Sequence, residues 1–290
     1  MKSASRDTLC LAPSGLVYLL LLVVPLILLL RMSLLPPGPA APLQGPLSFG
    51  SYTALADGYY GTILLRTLRI ALLTTLLSLA LGYPLALSVS RARGGWRTAQ
   101  LLVLVSPLFV SVVVRAYGWI LLLGNRGLVN TLLMSAGIID APLRLIHTEG
   151  AVVLALVEAL LPFMALSIVA VLDRLNLNGL NGLNGLNGLS GPELEDAARG
   201  LGASPFQTFV HVTLPLSLPG ALSGAVLVFM VSLGSYATPA LVGGARIRVM
   251  VTEIYTQATT IFNWPLAASL SLSLLALALV LATLSRKLAR

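Results

Sequence analysis

The sequence predicts an all-α polytopic membrane protein, and three observations carry that reading. Of its 290 residues, 57% are hydrophobic and only 10% charged, with a mean hydropathy of +0.93. Soluble domains carry about 25% charged residues, so one water-soluble core cannot absorb this much Leu, Val and Ala. Six apolar runs each approach the roughly 20 residues that a membrane-crossing helix needs. The basic residues between those runs are unevenly divided between the two sides.

The runs are expected at about 14–35, 63–89, 101–124, 151–172, 216–241 and 266–284. The first, flanked by Lys2 and Arg6, is longer than the apolar core of a signal peptide, and no small-residue cleavage site follows it. It is therefore read as a span. Pro84, Pro107, Pro162 and Pro219 lie in or near helices, which membrane helices tolerate because neighbours satisfy the freed carbonyls. Gly220 and Gly224 form a GxxxG step, which permits close helix packing. Cys10 is the sole cysteine, so neither an internal disulfide nor a cysteine-rich metal site is available.

Six spans put both termini on one side. That side holds ten Lys/Arg: Lys2, Arg6, Arg91, Arg93, Arg97, Arg174, Arg199, Arg286, Lys287 and Arg290. The other side holds Arg126, Arg144, Arg246 and Arg248 in loops, with Arg31, Arg66 and Arg69 at helix ends. The bias predicts cytoplasmic termini. The net charge of +8 thus reads as topology, and with an aromatic fraction of 6% no basic-aromatic stripe predicts nucleic-acid binding. Tyr59, Tyr60 and Trp264 fall at predicted outer interfaces.

Between spans four and five lies a cytoplasmic loop, residues 173–215. It contains an NGL repeat, read as a flexible insertion over 176–191, since Asn-Gly steps break helices. After it come Pro192, Glu193, Leu194, Glu195, Asp196, Ala197, Ala198, Arg199, Gly200, Leu201 and Gly202. Proline suits a first helical turn, and the acids suit the positive end of a helix dipole. Gly200 and Gly202 are natural stops. Ser204-Pro205-Phe206-Gln207 reads as a capping box opening a second helix, which leads through Leu214-Pro215 back to the membrane.

This loop resembles the EAA loop of ABC importer permeases: E-A-A, three residues, Gly, nine residues, I-x-L-P. Here Asp196-Ala197-Ala198 precedes Gly202, and nine residues later stand Val212-Thr213-Leu214-Pro215. Asp for Glu and Val for Ile are the two departures. Thr67-Leu68-Arg69-Ile70-Ala71, Ser106-Pro107-Leu108, Leu161-Pro162-Phe163-Met164, Leu216-Ser217-Leu218-Pro219-Gly220 and Phe262-Asn263-Trp264-Pro265 look like the spermidine/putrescine branch. The resemblance implies a type I importer permease fold in the bacterial inner membrane. It implies that Glu193, Glu195, Asp196, Ala197, Ala198, Gly202, Leu214 and Pro215 form the dock for a cytoplasmic ATPase. It also implies two ATPase subunits carrying ATP and Mg²⁺, a second permease and an extracytoplasmic solute-binding protein, with no cofactor on this chain. A polyamine is the implied cargo; related subunits carry other small organic ions. The NGL tract departs from the family, whose connection into the coupling helix is short.

Two ionisable residues fall inside predicted spans, where charge is costly and marks function. Counting along an unbroken helix, Arg115 lies about 21 Å from the cytoplasmic side and Glu158 about 12 Å from the outer side. Both then sit in the outer half of the membrane, on consecutive spans. Two readings stay open: a structural ion pair, and a cargo path in which Glu158 attracts a cationic amine, with Tyr117 and Tyr236 as polar-aromatic neighbours. No enzyme signature accompanies them. The only histidines, His147 and His211, fall in loops, and no metal-protease or nucleotide-binding motif occurs. A secondary transporter is expected to show repeats or several coupling acids, and only Glu158 qualifies.

Overall fold

The computed structural model describes residues 4–38, 45–55, 58–181 and 191–288. These form helices and helical turns joined by loops. The chain divides into two compact units, Met1–Leu64 with Met250–Leu279, and Leu65–Val249 with Val280–Arg290.

The first unit contains α1 (Ala4–Ser33), α2 (Gly50–Leu55), the start of α3 (Gly58–Arg91), α11 (Met250–Thr259) and most of α12 (Trp264–Leu288). Ile63, Met250, Leu266 and Leu270 form its core. The loop after α1 is fastened by polar bonds: Ser33 Oγ meets Tyr52 Oη at 2.9 Å, and Gly38 N donates to Asn263 Oδ1 at 3.1 Å. Glu253 is buried and accepts from Gln257 Nε2 at 2.9 Å and Tyr59 Oη at 3.4 Å.

The second unit is built on α7 (Glu149–Asn181) and α10 (Leu214–Leu233), with the rest of α3, α4 (Gly94–Val105), α5 (Val112–Leu123), α6 (Leu128–Ser135), α8 (Gly191–Gly200) and α9 (Pro205–Thr208) around them. The GxxxG step explains the α7–α10 contact. A methyl group on Gly224 would come within 2.9 Å of Met164 Sδ, and one on Gly220 within 2.9 Å of Val171 Cγ2. Only glycine lets the backbones approach this far. Two cores flank that seam, one around Tyr83, Met164, Ile168 and Val228, the other around Ala116, Val152, Leu156 and Val242. At the start of α7, Glu149 pairs with Arg66 at 3.2 Å and Arg69 at 3.6 Å.

Among the described residues, five helical stretches are long and apolar enough to cross a membrane: Gly58–Arg91, Val112–Ser135, Glu149–Leu175, Pro205–Leu233 and Trp264–Ser285. Within α1 the described apolar stretch, Leu19–Ser33, is shorter, and it exposes Leu21, Ile27 and Leu28.

Three expected boundaries are corrected. The span expected at 101–124 is not continuous: α4 gives way to a 3₁₀ turn at Ser106–Phe109, Val110 is extended, and α5 starts afresh. Pro107 occupies the first turn of the 3₁₀ segment, where its missing N–H interrupts the α-ladder. The span expected to reach 241 stops at Leu233. Gly234 caps it, donating to the Met230 and Ser232 carbonyls, and Pro239 opens a separate π-helical turn, Pro239–Gly243. Finally, α7 continues as helix to Asn181, through the first Asn-Gly step of the tract expected to be flexible. Residues 182–190 of that tract lie outside the described residues.

Candidate functional site

The loop after α7 folds by local rules. α8 ends in a Schellman motif: Ala203 N donates to Ala198 O at 3.1 Å and Gly202 N to Arg199 O at 2.9 Å. That closure requires Gly202 in the left-handed region, and its φ is +89°. The expected capping box is present. Gln207 N donates to Ser204 Oγ at 3.2 Å, and Ser204 N donates to Gln207 Oε1 at 2.8 Å. A π-helical turn, Phe209–Thr213, then feeds α10, with Pro215 in its first turn.

Glu195 ties α8 to the helices behind it. Its carboxylate accepts from Arg91 Nη2 at 3.2 Å on both oxygens and from Thr213 Oγ1 at 2.6 Å. Arg199 lies 3.9 Å from Oε2, one turn along α8. The bonding continues inward: Ser217 Oγ donates to Thr213 O at 2.8 Å and is hydrogen-bonded to Tyr83 Oη. Tyr83 packs edge-on against Phe209, with ring centroids 5.6 Å apart. Beside this ladder, Arg97 pairs with Asp173. The foot of α3, the π-turn and α8 therefore form one hydrogen-bonded assembly.

This arrangement sorts the expected docking residues. Glu195 faces inward, with its side chain 19% exposed. Glu193, Asp196, Ala197 and Gly202 face outward, while Ala198 and Leu214 are half-buried and Pro215 is exposed. Two residues that the motif reading passed over stand out at the tip: Leu201 is 90% exposed and Phe206 is 74% exposed. Their signal was available, since a Leu between two glycines and a Phe in a capping box are apolar residues in a polar loop.

The structure also brings Arg115 and Glu158 together. Arg115 Nη1 is 3.6 Å from Glu158 Oε1, too long for a hydrogen bond. Arg115 Nε and Nη1 are buried with no hydrogen-bond partner among the described residues. Glu158 borders an apolar groove of about 640 Å³ with Leu81, Trp96, Gln100, Val103 and Trp119. On its other side it shares a small cavity with Arg115, Trp119 and Thr238. Tyr117 and Tyr236 line neither space. Trp119 follows Arg115 by four residues on α5, so helical spacing places it on the same face.

Residues 185–290 match the family model described as "Binding-protein-dependent transport system inner membrane component". The chain is 31% identical over 269 residues to the "Spermidine/putrescine transport system permease protein PotB" of Haemophilus influenzae, a match covering 93% of this chain and 88% of that protein. In fold it resembles a chain of "a bacterial ABC transporter involved in the import of the acidic polysaccharide alginate", with a TM-score of 0.74, 20% identity and coverage of 100% and 97%. A chain of the "bacterial alginate ABC transporter in complex with alginate pentasaccharide-bound periplasmic protein" gives a TM-score of 0.74 at 19% identity, covering 100% of this chain and 96% of that one.

Proposed function

The chain belongs to the family of binding-protein-dependent inner-membrane permeases and is a multi-pass inner-membrane protein; from that premise we propose that it is the membrane subunit of an ATP-driven importer for a polyamine or related small amine. In this reading α1 supplies a sixth span, both termini are cytoplasmic and the permease pairs with a second, different permease subunit. ATP and Mg²⁺ belong to a dimeric cytoplasmic ATPase, and an extracytoplasmic solute-binding protein delivers the cargo.

The Glu195 assembly is the observation that supports ATPase coupling. A docking element must be accessible on one face and rigidly attached on the other. α8 with the turn and short helix after it meets both needs: Asp196 and Ala197 on α8, Leu201 in the turn and Phe206 on α9 face outward, while Glu195 is bonded to α3 through Arg91 and to the π-turn that feeds α10 through Thr213. Displacing α8 then moves α3 and α10 with it. Closing of the ATPase around ATP would thus bias the spans between inward- and outward-open arrangements, as rigid-body alternating access requires.

Gly202→Asp tests the dock. Its φ of +89° strains any side chain. The expected result is loss of ATPase co-purification at an unchanged level of permease in the membrane. Full retention of the ATPase and of transport would count against the docking role. Direct uptake of labelled putrescine, set against uptake of a labelled dicarboxylate, tests the cargo. A second reading, an acid-bearing small organic ion, is favoured by the buried Arg115 nitrogens that lack acceptors. Uptake of the dicarboxylate but not of putrescine would support that reading instead.

A further inference from the structure

We propose that the cavity between the α3–α4 turn and α8 binds a phosphate-bearing anion, supplied by the headgroup of an anionic phospholipid. The site lies apart from Glu158 and does not depend on what the cargo is.

α3 ends at Arg91, and Gly94 turns the chain into α4 with a left-handed φ of +56°. Arg91, Arg93 and Arg97 are thereby gathered around one sharp turn. Opposite them on α8 stand Glu195 and Arg199. These five residues line one cavity of about 560 Å³, backed by apolar side chains such as Leu172 and Leu216.

The charges in this cavity do not balance. Four guanidiniums meet one carboxylate in the lining, and a second carboxylate, Asp173, reaches Arg97 from outside it. Glu195 is shared between Arg91 at 3.2 Å and Arg199 at 3.9 Å. Arg93 has no ion-pair partner among the described residues. Four cations less two anions leaves two positive charges facing one space. A topology signal needs basic residues in the loop, but not their convergence on a cavity. Guanidinium forks match phosphate oxygens, and basic pockets between spans recruit anionic headgroups.

Helix α4, which sends Arg97 into the cavity, points to lipid as the phosphate source through the residues it exposes beside it. Trp96, 68% exposed, adjoins Arg97, and α4 continues with Leu102 at 67% and Val103 at 73% exposure. In a membrane protein such a surface faces acyl chains, and tryptophan marks the interfacial level. One helix thus presents a basic group to the cavity and an apolar face to the tails. Free phosphate would use the first and ignore the second.

The test uses the full chain, purified in detergent and stripped of lipid. Its melting temperature is followed during addition of dioleoylphosphatidylglycerol, dioleoylphosphatidylcholine or inorganic phosphate. Phosphatidylglycerol is expected to raise it by about 2–4 °C, and phosphatidylcholine to leave it unchanged. Arg93→Ala should weaken the phosphatidylglycerol response about fivefold in half-saturating concentration, with Arg93→Lys restoring it. Arg126→Ala, in a different loop, should change nothing. Equal responses to the two lipids, or an undiminished response in Arg93→Glu, would overturn the proposal. A response to inorganic phosphate that matches phosphatidylglycerol upholds the anion site and overturns the lipid assignment. Native mass spectrometry of the unsubstituted chain gives a second readout. Preferential retention of phosphatidylglycerol is expected, and equal retention of both lipids overturns the site.

Discussion

Two of the arginine–carboxylate pairs in this molecule are saturated to different degrees. At the foot of α3, Glu195 accepts from Arg91 and from Thr213 at 2.6 Å, with Arg199 close by. Between α5 and α7, Glu158 stands 3.6 Å from Arg115 with no hydrogen bond between them, and two guanidinium nitrogens find no acceptor among the described residues. Hydrogen bonds to charged groups are worth about 1.5–3 kcal/mol, and leaving a buried group unmade costs a similar amount. The first pair is therefore a joint, already satisfied and resistant to rearrangement. The second holds unused bonding capacity beside an apolar groove, which suits a group that exchanges partners as cargo passes.

Breaking the joint should have the largest effect. Glu195→Ala removes the Arg91 and Thr213 ties together, and uptake should fall at least tenfold while the protein stays in the membrane. Glu195→Gln keeps an acceptor for Thr213 and should retain intermediate activity. A double-mutant cycle with Arg91→Ala checks the mechanism, because the second substitution should add little once Glu195 is gone. Additive losses would mean that the two side chains act separately.

At the unsaturated pair a smaller effect is expected. Glu158→Gln keeps the shape and removes the charge, and uptake should fall roughly three- to tenfold if the carboxylate meets the cargo. Unchanged uptake at equal expression would sink the pathway role. If instead Glu158→Gln lowers expression and Arg115→Ala restores it, the pair is structural, because removing one partner of a half-buried pair strands the other charge.

The same contrast separates what was legible in the sequence from what was not. Gly202, Ser204 and Gln207 work through bonds spanning at most five residues, so their turn and cap can be read from spacing alone. The inward aim of Glu195 was not legible, because its partner Arg91 lies 104 residues away. Helical periodicity puts Glu195 and Asp196 on different faces, but it does not say which face meets the spans. The break at Pro107 was hidden for a related reason. A proline near a membrane helix is tolerated in the interior or starts a new turn, and tertiary packing decides which. Depth along an unbroken helix puts Arg115 and Glu158 at a similar level, with an ion pair as one of two open readings. They are adjacent here although that helix is interrupted, because α5 and α7 pack side by side.

The smallest effect belongs to the NGL repeat, and it tests whether contacts or chain connection position α8. Helix α7 runs to Asn181 and α8 begins at Gly191. If the Arg91–Glu195–Thr213 bonds fix α8, the length of the connector between those helices matters little. Loop-closure entropy agrees, since halving or doubling a flexible loop changes stability by only about 0.6 kcal/mol. Deleting one NGL unit, residues 187–189, shortens the connector by less than half and should therefore leave uptake and ATPase co-purification within about threefold of the unaltered chain, the factor that this energy allows. A tenfold loss, with Glu195→Ala no worse than the deletion, would transfer the positioning role from the joint to the connector. It would then be the repeat, and not the carboxylate, that ties α8 to the spans.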